Sequence, residues 1–342
     1  MPIRFERREK ITRYLDPRQD YAENQIRSEI RWDPLTGRTA RVAHFVGFQL
    51  APVDYSAMIA ATRDVCPFCP ERVMDVTPKF PPDIVPTGRV QKGAAIVFPN
   101  LSPYDEHSAV AVMGPDHYVP LDGFTPDMLT TAFLACSEYF GYARQHPGTR
   151  FALVNWNYMP AAGGTQIHPH LQVFATDTAG NTHREELEAS GRYYAETGRS
   201  YWADLLETEE RLGERFVARG QHTVWCTSFV SQSPLTDVLV VFPERRTLLE
   251  LSENAVAELA QGLVQTFRYL AARGVYSFNL AWFPGTEDRP DYWMHLRLSP
   301  RLYLSPRVWA ADTSTLQHLY RESYMIWTPE EEASGLRKMV RL

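Results

Sequence analysis

The sequence predicts an α+β chain in which one plan of strand, helix, strand and strand is used twice. Three observations carry this. Val238-Leu239-Val240-Val241-Phe242-Pro243-Glu244-Arg245 echoes Val110-Ala111-Val112-Met113-Gly114-Pro115-Asp116-His117. A capped helical stripe follows each run, opened by Thr125 in the first case and by Ser252 in the second. Each helix is then followed by two strand-like runs, Phe151–Asn155 with His168–Val173, and Tyr276–Leu280 with Trp293–Leu298. The spacing is that of a degenerate duplication of about 125 residues.

Taken in order, residues 1–32 are charged and weakly patterned, and read as an N-terminal arm or interface element. Asp33-Pro34-Leu35-Thr36-Gly37 is a turn leading into a strand near Arg38–Phe45. A Cys-x-x-Cys loop and a proline-rich stretch, Thr77 to Pro86, come next. Ala94–Asn100 reads as a buried strand and Ser108–Met113 as its neighbour. Thr125-Pro126 combines an N-cap hydroxyl with proline at the first helical position, and that helix runs to about Gln145. Residues 183–219 are charged and helical and join the halves. The second long helix runs to Arg273, and Thr328-Pro329-Glu330-Glu331 opens a last helix through a capping box. The domains expected are 1–32, 33–182 with the site residues, and 183–342 as a degenerate second copy.

Composition removes several classes of function. The 342 residues carry a net charge of −6, so no global basic field attracts nucleic acid. No apolar run approaches the ~18 residues that span a bilayer, and Met1 to Arg8 is too charged for a signal peptide. A cytoplasmic protein with no membrane or nucleic-acid partner is expected. Only four of the 35 basic residues are lysines, and arginine suits bidentate phosphate contacts.

Of the four cysteines, Cys136 lies on the helical stripe Leu129, Ala132, Phe133, Tyr139 and Phe140, and Cys226 follows Val224-Trp225 in a strand-like run; both read as core. Cys66-Pro67-Phe68-Cys69 remains. A redox pair would open a helix after a strand, which the proline-rich stretch downstream does not fit, so a metal clip is favoured.

The richest stretch is 157–174. From Gln166 to Val173 polar and apolar residues alternate, placing Gln166, His168, His170 and Gln172 on one side. Pro169 removes a ladder donor, which predicts an edge strand or a local bend. Gly163-Gly164-Thr165 supplies a compact turn whose amides and hydroxyl suit an anion. Two imidazoles beside such a turn suit chemistry on a phosphate.

At His168-Pro169-His170-Leu171-Gln172 the sequence resembles the galactose-1-phosphate uridylyltransferase family of the histidine-triad superfamily. Asp33–Gly37, the Cys66/Cys69 pair, Phe98-Pro99-Asn100, Gly114–His117 and Asn157 with Gly163–Thr165 fall in that family's order. The resemblance implies two histidine-triad-like repeats, each an antiparallel sheet with a packed helix. It implies a covalent nucleotidyl-histidine at His170, with Gln172 on the phosphoryl oxygens. Gly163, Gly164 and Thr165 would cradle them, Asn157 would make a further phosphate contact, and Phe98 and Asn100 would lie by base and ribose. It implies one structural zinc held by Cys66, Cys69, His117 and His168, with His107 as the competing ligand. Its substrates would be a sugar nucleotide, UDP-glucose by preference, and a sugar 1-phosphate, and its members pair as homodimers.

The departures are specific. Leu171 stands where the family has glycine and is expected to narrow the space beside the phosphate. Leu101 replaces an acid near the ribose, and the paired arginines after the Asp33–Gly37 run are absent from Val42–Leu50. His295 falls on the His170 position, but Arg297 and Phe283 replace histidines that bind a further metal in some members, so no second metal is expected. Two alternatives stand beside the uridylyltransferase: an adenine-nucleotide phosphorylase or adenylyltransferase of the same superfamily, and a catalytically idle zinc-bearing binding protein.

Overall fold

The computed structural model describes residues 3–43 and 48–342. Strands β1 (Glu6–Asp16), β2 (Ala22–Trp32) and β3 (Thr39–Val42) come first, then helices α1 (Ser56–Arg63) and α2 (Pro70–Val76). Strands β4 (Val90–Lys92), β5 (Ala95–Pro99) and β6 (His107–Val112) lead to helix α3 (Pro126–Ala143), and β7 (Phe151–Tyr158) and β8 (His170–Thr176) end the first half. Helices α4 (Asn181–Thr197) and α5 (Tyr201–Leu212) connect to β9 (Phe216–Arg219), β10 (Val224–Thr227) and β11 (Val238–Val241). Helix α6 (Glu253–Ala272), β12 (Phe278–Phe283) and β13 (His295–Pro300) complete the second half. The tail holds β14 (Tyr303–Ser305), β15 (Ala310–Ala311), α7 (Thr315–His318), β16 (Ser323–Met325) and α8 (Pro329–Leu336).

One antiparallel sheet of ten strands runs through both halves in the order β4-β5-β6-β8-β7-β12-β13-β11-β10-β9. Read outward from the β7–β12 seam, the order is 7-8-6-5-4 on one side and 12-13-11-10-9 on the other, so the duplication is written into the topology. Helices α3 and α6 cover one face. Leu171, Val173 and Ala175 of β8 and Leu296 and Leu298 of β13 join them in the main core. The seam is an aromatic cluster, with Trp156 at 4.8 Å, Tyr158 at 5.1 Å and Phe267 at 4.9 Å from Phe278 between ring centres. Each such pair adds roughly 0.5–1.5 kcal/mol beyond its area.

The opposite faces of the two halves differ. In the second half α4 and α5 fill it with Leu187, Trp202, Leu205 and Leu206 against Leu239 and Val241. In the first half, among the described residues, a small cluster of Val73, Phe98, Val110 and Val112, with Phe68 and Ile96 against it, covers part of the sheet.

Both long helices begin as read: Thr125 Oγ1 accepts from the Met128 amide and Ser252 Oγ from that of Ala255. Three expectations need correction. Residues 6–32 are a long hairpin, β1–β2, whose second strand pairs with β3, and β16 adds to β3 in parallel. β8 is an interior strand, between β6 and β7, because the ladder starts at His170 and leaves Pro169 just outside it. Thr328 bonds the Glu331 carboxylate side chain to side chain, so the capping box is not formed to the backbone. Of the strand expected at Arg38–Phe45, the described part is Thr39–Val42; His44 to Gly47 lie outside the described residues.

A Cys2His2 cluster beside a tautomer-fixed histidine

Two loops and the start of β8 bring four donors together. Ligand atoms of Cys66, Cys69, His117 and His168 all lie within 4.8 Å of one another, and all four residues are buried. Cys69 Sγ is 3.5 Å from His117 Nδ1 and 3.7 Å from His168 Nδ1, and Cys66 Sγ is 3.8 Å from His168 Nδ1. A tetrahedral ion bonded to sulfur at about 2.3 Å and to nitrogen at about 2.05 Å spaces those atoms by about 3.5 Å.

The far nitrogens explain why both rings present Nδ1. His168 Nε2 donates to the Gly114 carbonyl at 2.8 Å. His117 Nε2 lies 3.1 Å from Thr62 Oγ1, whose own proton goes to the Met58 carbonyl at 2.8 Å, so the threonine accepts from the imidazole. Each ring therefore turns an unprotonated Nδ1 inward, with an outer partner fixing its tautomer. Burial holds His168 neutral, down at about 4. Burial and the neighbouring Cys66 push the Cys69 thiol up to about 11. A second thiolate is stable there only against a cation, which is what a Cys2His2 metal site supplies. The residues fit a metal ion.

His107, the rival ligand, lies outside this cluster, its ring tilted against that of His146 at 4.9 Å between centres. Cys69 is the N-cap of α2, so the Cys-x-x-Cys pair does open a short helix, contrary to the sequence reading. The metal assignment rests on the two imidazoles that complete the cluster.

His170 is two residues beyond this cluster. Its Nδ1 donates to the carbonyl of His168 at 2.8 Å, leaving Nε2 as the unprotonated atom. Burial lowers its pKa, against the opposing pull of that carbonyl, so the ring is neutral near pH 7. It is 8 % exposed. Gln172 shares its face and pairs across the ladder with Val110 and Asn155. Leu171 points the other way and is fully buried in the α3 core, so it does not narrow the space beside His170 as expected.

The remaining expected residues fall into place unequally. Asn157 sits on β7 opposite Asn279 of β12; it lies two residues past the last β7–β8 pair, Asn155–Gln172, so by alternation it shares the face that carries Asn155, Gln172 and His170. Gly163 and Gly164 form the turn, but their amides donate inside it, to Pro160 and Met159 carbonyls at 2.9 and 3.1 Å. Their contribution is therefore shape rather than donated hydrogen bonds, while Thr165 beside them is exposed. Gly164 admits no side chain: a Cβ there would lie 2.7 Å from the Asn157 carbonyl oxygen. Asn100 uses Oδ1 to accept from the Ser102 amide at 2.9 Å. Phe98 is 2 % exposed beneath Phe68, so it has no open face for a base. Phe68, inside the Cys-x-x-Cys loop, is half-buried and lies 5.3 Å from the His170 ring.

The second half repeats the imidazole at His295, which is fully buried. His295 Nδ1 faces the Trp293 carbonyl at 3.3 Å, as His170 faces that of His168. Trp202 lies over the ring at 4.1 Å between ring centres and Phe283 stacks on it at 5.0 Å. Glu186 reaches His295 Nε2 at 3.3 Å and Arg297 at 2.7 Å.

Topology puts two copies of one strand-and-helix plan into a single sheet, with the Cys2His2 cluster and His170 in the first. Comparison with solved structures shows the fold. The ADP-glucose phosphorylase of Arabidopsis thaliana, solved with ADP-glucose, superposes with a TM-score of 0.71 at 18 % identity over 92 % of this chain and all of that one. A galt-like protein of the same plant gives 0.70 at 19 %, over 92 % and 99 %. A uridylyltransferase gives 0.65 at 20 %, over 91 % and 97 %. The chain thus has the fold of the galactose-1-phosphate uridylyltransferase-like proteins, as its motifs implied. By sequence it is 27 % identical to an uncharacterized protein of Archaeoglobus fulgidus over 91 % of its length and 92 % of that protein. It is 24 % identical to a galactose-1-phosphate uridylyltransferase of Neurospora crassa, over 55 % of its length and 50 % of that protein. No family model matches the chain. Among the described residues no helix is long and apolar enough to cross a membrane.

Proposed function

We propose that the protein is a nucleotidyltransferase that works through His170. The observation that carries this is the single hydrogen bond from His170 Nδ1 to the His168 carbonyl, which leaves a neutral imidazole with its lone pair on Nε2. Nε2 attacks the α-phosphorus of a nucleoside diphosphate sugar, the bond to the bridging oxygen breaks, and sugar 1-phosphate leaves. A second phosphate compound then attacks the nucleotidyl-histidine and returns His170 to its neutral form. Imidazole serves as nucleophile and then as leaving group because the held Nδ1–H keeps one tautomer in both steps. Gln172, Asn157 and Thr165 supply donors to the phosphoryl oxygens, whose charge is the main thing such a site must stabilise.

Cys66, Cys69, His117 and His168 would hold a zinc ion through four protein donors, and such an ion would supply structure by tying the Cys-x-x-Cys loop to the strand bearing His170. The donor read from the sequence is UDP-glucose, with a hexose 1-phosphate as acceptor and a homodimer as the working unit. The alternative is an adenine nucleotide with inorganic phosphate as acceptor, since the structures of like fold include an ADP-glucose phosphorylase as well as a uridylyltransferase. Incubation with α-labelled UDP-glucose and, separately, ADP-glucose tests both readings. Acid-labile label on denatured protein, absent in His170→Ala, supports the mechanism, and the donor that labels names the base. No label from either, nor from the other common nucleoside diphosphate sugars, refutes it.

A further inference from the structure

Four side chains form a line of hydrogen bonds across the β7–β12 seam. Arg301 donates its Nε to both carboxylate oxygens of Asp312 at 2.9 Å, and that carboxylate is itself fixed by the Leu302 amide at 3.1 Å. Arg301 Nη1 donates to Asn279 Oδ1 at 2.5 Å. Asn279 Nδ2 donates to the Ala162 carbonyl at 2.9 Å and to Asn157 Oδ1 at 2.7 Å.

The direction of every bond follows from what each group can do. A guanidinium only donates and a backbone carbonyl only accepts. Asn279 must therefore turn oxygen to Arg301 and nitrogen to Ala162, and the atom of Asn157 that meets the same nitrogen must be its oxygen. Amide orientation, ordinarily an assignment, is here dictated by the two ends of the line. Asn157 then has one group left, its Nδ2, aimed away from β12 on the face where the register sets His170. The Ala162 bond also fixes the carbonyl just before Gly163, so one residue holds both the phosphate-side amide and the glycine turn.

We infer that Asn279 and Arg301, both from the second half, are positioning residues that hold Asn157 as a hydrogen-bond donor to the phosphoryl group; this rests on the reading of His170 as the nucleophile. Sequence patterning gave no hint of it, because the two residues lie in the copy that has lost its own site.

The test is the single-turnover rate of His170 labelling at saturating α-labelled sugar nucleotide, using whichever donor labels the wild type. Asn157→Ala loses one donor to the developing charge, a loss of about 100-fold. Asn279→Asp keeps the shape and the bond to Arg301 but has no proton to give, so Asn157 turns its NH2 inward; the expected loss is again about 100-fold. Asn279→Ala leaves Asn157 free to take either orientation and loses about 10-fold or less. The order wild type, Ala, Asp is one that a merely structural role, in which the truncation costs more, does not produce. The double variant Asn157→Ala/Asn279→Asp is expected to be no slower than Asn157→Ala alone, since coupled residues are not additive. Additive losses, or wild-type rates in both Asn279 variants, overturn the inference. If the wild type takes no label, the functional reading fails and this inference with it; if it labels and the cycle is additive, only this one fails.

Discussion

Replacing Cys69 with Ser removes the one donor that lies against both imidazoles, at 3.5 and 3.7 Å. A serine hydroxyl neither ionises near neutral pH nor binds zinc as thiolate does, so the ion should leave. A site holding zinc with free metal at a thousandfold its dissociation constant stabilises the fold by about 4 kcal/mol. For a chain of 342 residues the unfolding entropy is about 0.7 kcal/mol/K, so that loss lowers Tm by about 6 °C. Zinc per chain, measured by mass spectrometry of the purified protein, should fall from near one to near zero. A chelator should bring the wild type down to the Tm of the variant and leave the variant unmoved. Cys226→Ser is the control, since that thiol is buried in β10 and takes no part in the cluster. Zinc near one per chain in Cys69→Ser with an unchanged Tm, or a wild type that neither carries zinc nor gains stability from it, refutes the ligand set.

Gly164→Ala drives a methyl to 2.7 Å from the Asn157 carbonyl oxygen and 3.0 Å from that of Met159, both backbone atoms that cannot swing aside. A cost of about 1–3 kcal/mol and a labelling rate lower by at least about 10-fold are expected; wild-type labelling would show that the turn does not set the site. Gly163→Ala has open space around it and strains only its φ of +80°, so it should cost about 1 kcal/mol or less and label nearly normally. For Glu186, burial pushes the carboxyl up but Arg297 and His295 outweigh it and hold it down at about 2. Its charge therefore contributes stability above the ordinary pKa near 4.5, about 3 kcal/mol, which is lost as pH falls toward 2. His183, held down at about 4 by burial, destabilises in the same direction as it takes a proton. Chemical denaturation from pH 6 to 3 should show this acid slope shrinking in Glu186→Gln, with lower stability at pH 7; an unchanged slope would place the acid sensitivity elsewhere.

The parts of the fold that could be read were those with local cause. Thr125 and Ser252 announce their helices through caps whose chemistry is complete within four residues. The alternation around His170 put the imidazole and Gln172 on one face and Leu171 on the other, although the consequence for Leu171, that it leaves the site open, was drawn only from the structure. What could not be read depends on pairing between distant segments. The β1–β2 hairpin has no strong alternation because it is exposed on most of both faces, so nothing in its pattern distinguishes it from an arm. Phe98 and Phe68 are both aromatic and both near the site; which one covers the other is a matter of how the Cys-x-x-Cys loop folds back. The Cys2His2 set, by contrast, came from the resemblance, and its four members do converge.

The closed second repeat is best understood through the seam it shares with the first. A sheet that ended at β7 would expose an edge, and the amide of Asn157 would face water with no fixed orientation. Adding β12 covers that edge, buries Trp156 and Phe278 against each other, and brings Asn279 within 2.7 Å of Asn157. In the second copy Trp202, Phe283 and Glu186 pack against the corresponding imidazole, His295. The first repeat covers its face around His170 with the Cys-x-x-Cys loop and Phe68, whereas the second covers the same face with α4 and α5. A chain that keeps both arrangements in one sheet holds the His170 ring on a rigid frame, because part of the rigidity is supplied from the covered half.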